Sequence, residues 1–142
     1  MIRLCPACGK KNRIPAEHLA DTGHCGACKG ELPPVAEPLD VDGLSFQEIV
    51  ASARVPVLVD FWAAWCGPCR TAAPEVKKVA AEMAGRAIVL KVNTESSPAL
   101  AQQFNVMSIP NFVVLKDGRI VRQQPGLVDH QQMAAWLRQA QS

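Results

Sequence analysis

The 142-residue sequence predicts an α/β fold in which a mixed sheet is flanked by helices, with a small cysteine-rich segment in front of it. Three observations carry this reading. From Leu39 onward, apolar runs rich in β-branched residues alternate with helical patterns. Lys116-Asp117-Gly118 sits between the last two runs as a hairpin turn, which makes them antiparallel. Four of the six cysteines fall before Leu32, ahead of the proline-rich stretch 33–38. The length suits one domain with a sizeable core plus an appendage and is short for two full domains.

The elements follow in order. Ser45-Phe46-Gln47-Glu48 has the form of a capping box and opens a short helix to about Ala53. Val57 to Trp62 reads as a buried strand. A helix begins at the Cys66 to Cys69 turn and continues from Thr71 to Ala84, with Val76, Val79, Ala80 and Met83 at helical spacing and a kink expected at Pro74. Ala87 to Val92 is a second buried strand. Ser97-Pro98 supplies an N-cap and a first-turn proline for a helix through Phe104. Asn111 to Leu115 and Arg119 to Gln123 form the hairpin, and Asp129 caps a final helix bearing Met133, Ala134, Trp136 and Leu137. The order is αβαβαββα, with an initial strand near Leu39 to Val41. Residues 1–32 hold too little apolar material for a core of their own, since pieces below ~40 residues generally need a metal, disulfides or a partner. Residues 33–38, with three prolines, read as an extended linker, and 39–142 as the main domain.

Composition narrows the function. The net charge is +2 and the basic residues are dispersed, which argues against nucleic-acid binding. No apolar stretch reaches the ~18 to 20 residues of a membrane span, and the N-terminus lacks a signal-peptide core, so a cytoplasmic protein is expected. Thiols there are kept reduced, and six cysteines point to metal binding or catalysis.

Cys66-Gly67-Pro68-Cys69 stands where a strand becomes a helix. Free amide N–H groups and the positive end of the helix dipole stabilise a thiolate there, which marks Cys66 as the nucleophile. Residues i and i+3 bring their Cβ atoms to ~5 to 6 Å, so Cys69 is placed to resolve a mixed disulfide. Neither intervening residue carries a charge that would further stabilise the reduced form, which leans the pair toward a reductant. Asp60 lies inside an apolar strand, where its pKa should rise. It reads either as a proton carrier or as half of a self-satisfied pair with a buried lysine.

Cys5-Pro6-Ala7-Cys8 and Cys25-Gly26-Ala27-Cys28 are separated by sixteen residues, the spacing of a four-cysteine zinc site. One structural Zn²⁺ on Cys5, Cys8, Cys25 and Cys28 is expected, with Gly9, Gly26 and Gly30 easing the turns. His24 adjoins the site as a competing ligand. His18, His24 and His130 otherwise read as surface histidines. A redox-responsive zinc site is the other reading of these thiolates.

Val59-Asp60-Phe61-Trp62-Ala63-Ala64-Trp65-Cys66-Gly67-Pro68-Cys69, together with Pro74, Lys91, Ile109-Pro110, Gly118 and Gly126, resembles the thioredoxin family over about three quarters of the chain. The zinc segment in front resembles the bacterial thioredoxin-2 type. The resemblance implies a thioredoxin fold and a general protein-disulfide reductase, itself reduced by an NADPH-dependent thioredoxin reductase, with no organic cofactor on this chain. Its substrates would be disulfide-containing proteins, and a monomer is expected. By the same resemblance Asp60 accepts the Cys69 proton with Lys91 as its charge partner. Pro110 becomes a cis-proline, where the residues alone would favour trans. Trp65, Gly67, Pro68, Ile109, Pro110 and Gly126 become the docking surface, with the Ile109 backbone pairing to an extended substrate. Ala64, Ser108, Asn111 and Pro125 depart from the family pattern around that surface. The alternative from another class is a zinc-dependent binding or chaperone module on a thioredoxin scaffold.

Overall fold

A computed structural model describes residues 1–141. The main sheet has five strands: β5 (Leu39–Asp40), β6 (Val57–Trp62), β7 (Ile88–Asn93), β8 (Asn111–Lys116) and β9 (Arg119–Pro125). Their spatial order is β5-β7-β6-β8-β9. β5, β7 and β6 run parallel, while β8 is antiparallel to β6 and β9 to β8. The expected hairpin turn is present, with Asp117 at φ 53° and Gly118 at φ 77°, as a two-residue turn with both central residues left-handed requires.

Strand alternation sorts the side chains into two cores. Val57, Val59 and Phe61 face a layer containing Phe46 and Ile49 of α1 (Gly43–Ser52) and Leu100 of α3 (Pro98–Gln103). Leu58 of β6 and Phe112 and Val114 of β8 face the opposite layer, built by Val76 and Val79 of α2 (Gly67–Glu82) and Met133 and Leu137 of α4 (His130–Gln141). Burying each such large side chain contributes about 1.5–3 kcal/mol. The same alternation turns Asp60, between Val59 and Phe61, toward α2. No helix among the described residues is long and apolar enough to cross a membrane.

Three local expectations are corrected. The cap of α1 is Asp42, whose Oδ1 accepts from the Ser45 amide at 2.9 Å, so the helix starts two residues before the capping box expected at Ser45. Ser97 stands at the N-cap of α3 with Pro98 in the first turn, as expected, but its side chain makes no cap bond. His130 is a tether rather than a plain surface histidine. Its amide donates to Glu75 Oε1 at 3.2 Å, and its Nδ1 lies 3.0 Å from the same oxygen. These contacts join α2 to α4 and hold the Glu75 carboxyl down at about 2.

The first 32 residues hold two small hairpins, too short to leave a periodic signal. β1 (Ile2–Leu4) pairs with β2 (Lys11–Arg13), and β3 (Gly23–His24) pairs with β4 (Glu31–Leu32). Their own core is Cys5, Cys25 and Leu32 with Ile14 against it. Between the hairpins a 3-10 turn (Ala16–His18) is followed by Leu19, which is 1% exposed inside the α1-side core of the main sheet. Within the stretch 33–38, Val35 joins that core and its amide donates to the Leu19 carbonyl at 3.0 Å. Arg3 Nη1 donates to the Pro33 carbonyl at 2.6 Å. The cysteine-rich segment and the proline-rich stretch thus lie against the main domain.

Candidate active site and metal centre

β6 ends at Trp62, and after Ala63, Ala64 and Trp65 the chain enters α2 with Cys66 as its N-cap. Cys66 is extended (φ −83°, ψ 112°), and its Sγ accepts from the Cys69 amide at 3.1 Å. Pro68 stands in the first turn, where an N–H would have no helical partner. Cys66 and Cys69 are joined as a disulfide across a Cα separation of 5.2 Å.

The two cysteines border different spaces. Cys66 lines an open groove of about 470 Å³ with Trp65, Gly67, Pro68, Met107 and Ile109. Trp65 is 66% exposed at its rim and Met107 is 93% exposed. Cys69 lines a second cavity of about 260 Å³ with Asp60, Trp62, Arg70 and Lys91. Asp60 is 2% exposed, and its Oδ1 has no hydrogen-bond partner in the protein among the described residues. Burial pushes its carboxyl up to about 7, against the pull of Lys91 and with a small push from Asp40. The Lys91 ammonium lies 4.5 Å from the centre of the Trp62 ring. A carboxyl that changes protonation near neutrality therefore shares a cavity with one of the two sulfurs.

The Ile109–Pro110 peptide is cis. The Ile109 carbonyl oxygen lies 3.7 Å from Cys66 Sγ, on the groove side of the disulfide. Gly126, at φ 90°, donates its amide to the Pro110 carbonyl at 2.8 Å, a left-handed position that a residue with a Cβ would strain. Trp65, Gly67, Pro68 and Ile109 thus meet at the groove, while Pro110 and Gly126 meet behind it without lining it.

Sequence reasoning missed the brace under this loop. Asn111 is 4% exposed and donates from Nδ2 to the Ser108 carbonyl at 3.3 Å. Gln123 on β9 donates to Asn111 Oδ1 at 3.2 Å and to the Phe104 carbonyl at 2.8 Å. A polar residue opening an otherwise apolar strand was the available signal. Met107 left none, since one apolar residue in a loop carries no pattern.

The four remaining cysteines converge at the hairpin tips, all Sγ atoms lying within 4.8 Å of one another. Contacts cross between the knuckles, with Cys5 to Cys28 and Cys8 to Cys25 each at 3.7 Å. Four thiolates ~2.3 Å from a tetrahedral ion have edges of ~3.8 Å, so the cluster fits a zinc-sized metal. Outer donors are in place. The Asn12 amide donates to Cys25 Sγ at 3.5 Å, the Ala27 N–H to the same sulfur at 3.4 Å and the Gly30 N–H to Cys28 Sγ at 3.3 Å. Hydrogen bonds led by the Cys28 amide and the Asn12 side chain hold the Cys25 thiol down at about 6, and the Cys8 amide lowers Cys5. Cys8, despite the Lys10 amide, is pushed up to about 11 by the neighbouring sulfurs. A cation at the centre of the cluster would hold all four sulfurs as thiolates, Cys8 included. His24 stays outside the four-sulfur cluster.

The expectation about glycine is corrected in part. Gly9 takes a left-handed φ of 76° in the first knuckle, but the equivalent position in the second is Lys29 at φ 65°. Gly30 is needed for space instead, since a Cβ there would lie 3.1 Å from Cys28 Sγ.

Fold and site together define a dithiol–disulfide exchange protein with an appended four-thiol metal ribbon. Residues 37–139 match the family model described as "Thioredoxin", and residues 4–30 match the one described as "Thioredoxin 2, N-terminal". The chain is 37% identical over 139 residues to "Thioredoxin C-3" of Corynebacterium nephridii, covering 98% of this chain and 94% of that one. It is 36% identical over 105 residues to "Thioredoxin" of Haemophilus influenzae, covering 74% of this chain and 98% of that one. Among solved structures, a point mutant of the thioredoxin from Halobacterium salinarum aligns with a TM-score of 0.71 at 31% identity, over 80% of this chain and 97% of that one. The chain belongs to the thioredoxin family. It is a thiol-disulfide oxidoreductase acting as a disulfide reductase, and its N-terminal ribbon holds a metal site.

Proposed function

We propose that this chain is a general protein-disulfide reductase of the cytoplasm in which Cys66 attacks, Cys69 resolves and Asp60 takes the proton. The observation that carries the division of labour is the separation of the two cavities. Cys66 borders the open groove, whereas Cys69 borders the one holding Asp60.

In the reduced protein the Cys66 thiolate attacks one sulfur of a substrate disulfide, and the other leaves as a thiolate that is protonated. Cys66 is then bonded to substrate. Asp60, ionised, accepts the Cys69 proton through the shared cavity while Lys91 offsets its charge. The Cys69 thiolate attacks Cys66 Sγ and expels the second substrate thiolate. Two electrons have passed to the substrate, and the Cys66–Cys69 disulfide is regenerated. An NADPH-dependent thioredoxin reductase returns it to the dithiol. The exposed Trp65 indole and the groove beside Ile109 would seat an extended segment of a protein substrate, with Gly67, Pro68, Pro110 and Gly126 shaping that surface.

We assign zinc to the ribbon on the closed four-sulfur set, with Cys5, Cys8, Cys25 and Cys28 as ligands. When bound, zinc would stabilise the four thiolates and fold the hairpins, with no part in the exchange.

The test is insulin-disulfide reduction with thioredoxin reductase and NADPH. Wild type should turn over and Cys66→Ser should not. Turnover retained in Cys66→Ser overturns the assignment, and a wild type without turnover would favour the binding-module reading.

A further inference from the structure

Three charged side chains form one row on the α2 face of the sheet. Asp40 of β5 pairs in register with Lys91 of β7, and Lys91 pairs with Asp60 of β6. Adjacent strands lie ~4.8 Å apart, so the lysine stands between two carboxylates whose backbones are ~10 Å from each other. Asp40 is held in the row from both sides. Leu39 and Val41 pack into the opposite core, and the Val41 amide donates to the Lys91 carbonyl at 3.1 Å.

The spaces around these residues adjoin. A cleft of about 570 Å³ is lined by Pro38, Asp40, Arg70, Ala73, Pro74, Lys77 and Lys91. It shares Arg70, Ala73 and Lys91 with the cavity that contains Asp60 and Cys69. Asp40 is the one carboxylate among the residues lining it, against three cations. Among the described residues, Arg70, Lys77 and Lys91 make no ion pair within 4.0 Å.

We propose that Asp40 is a positioning residue for the proton chemistry of Asp60: standing in register beyond Lys91, it adds like charge to the row and offsets part of the pull of the Lys91 ammonium on Asp60. The proposal rests on reading Asp60 as the acceptor for Cys69. Asp60 shares its cavity with Lys91 from β7 and with Cys69 and Arg70 from α2, while Asp40 from β5 and Lys77 from α2 line the adjoining cleft. On β8 its register partner is the apolar Phe112. Every charged group here other than Asp40 favours the ionised carboxylate. Removing the Asp40 charge therefore acts in one direction, lowering the pH at which Asp60 ionises.

The test is a carbon-NMR titration of the Asp60 carboxyl in the full-length, zinc-loaded, oxidised protein. Asp40→Asn should lower the Asp60 midpoint by about 0.3 to 0.6 pH at low salt, as expected for one charge ~10 Å away in a largely aqueous path. The shift should shrink at about 0.5 M NaCl, because Asp40 is exposed and screened. Asp40→Ser should act like Asn, whereas Asp40→Glu should leave the midpoint in place. Midpoints unchanged in both Asp40→Asn and Asp40→Ser overturn the proposal. A single-turnover pH profile for release of the mixed disulfide should move down with the NMR midpoint. A moved NMR midpoint with an unmoved rate profile would instead overturn the reading of Asp60 as acceptor.

Discussion

The ribbon and the redox turn use the same Cys-x-x-Cys spacing and reach opposite outcomes. In each knuckle the first cysteine's carbonyl accepts from the amide four residues on, Gly9 to Cys5 at 2.8 Å and Lys29 to Cys25 at 3.0 Å. The residue after the second cysteine is left-handed in both, and the next carbonyl closes back on the first cysteine's amide. The chain folds into a hairpin, and the sulfurs of one knuckle meet those of the other. At Cys66 the same first bond forms, Arg70 to Cys66 at 3.3 Å, but Arg70 stays helical and α2 runs on to Glu82. The two sulfurs then have only each other. Spacing sets the reach between the thiols, and the backbone just past the second cysteine chooses the partner.

The comparison breaks most completely at the metal. Cys25→Ser should abolish stoichiometric zinc, measured by elemental analysis of the purified protein, because a structural site supplies on the order of 10 kcal/mol of folding free energy. The same variant should keep insulin reduction, since Cys66 and Cys69 are held by α2 and β6.

A smaller effect separates the two regions by pH. Asp60 ionises at about 7 in the folded protein and near ~3.9 when unfolded, so the native state binds the extra proton between those values. Stability from this group is fully present below the unfolded value and is lost as pH rises through about 7, by about 4 kcal/mol. Asp60→Asn should remove that loss. Urea unfolding at pH 4.5 and pH 8 should show a variant whose advantage over wild type grows with pH, together with slower release of mixed disulfide.

The smallest change sharpens the likeness between the knuckles. Lys29→Gly places glycine at the left-handed position that Gly9 already fills, relieving about 1 kcal/mol of backbone strain. Chelator competition should show zinc held several-fold more tightly, with turnover unchanged.

Much of this was legible locally. Val57 to Trp62 is an unbroken apolar run around a single carboxylate, and alternation alone turns Asp60 away from Val59 and Phe61. The strand-to-helix turn at Cys66 and the two ribbon pairs are short-range patterns of residue type. Other features left no local trace. Asp42 displaced Ser45 as the α1 cap because both satisfy the same preference, and the position of Phe46 and Ile49 against the sheet decides between them. Leu19 looks like one more residue of a polar segment until Val35 hydrogen-bonds to it inside the core.

The sequence by itself determined the order of strands and helices in the main domain, the helix-capping thiol at Cys66 and the two Cys-x-x-Cys pairs of the ribbon, because each is a pattern of residue types over neighbours a few positions apart. Only the tertiary structure decided which cavity each sulfur borders, that the chain at Ile109-Pro110 comes within reach of Cys66, and that Asp40, Lys91 and Asp60 stand in one row. Those relations join residues 20 to more than 40 positions apart. Sheet register and packing set them, and no local periodicity encodes either.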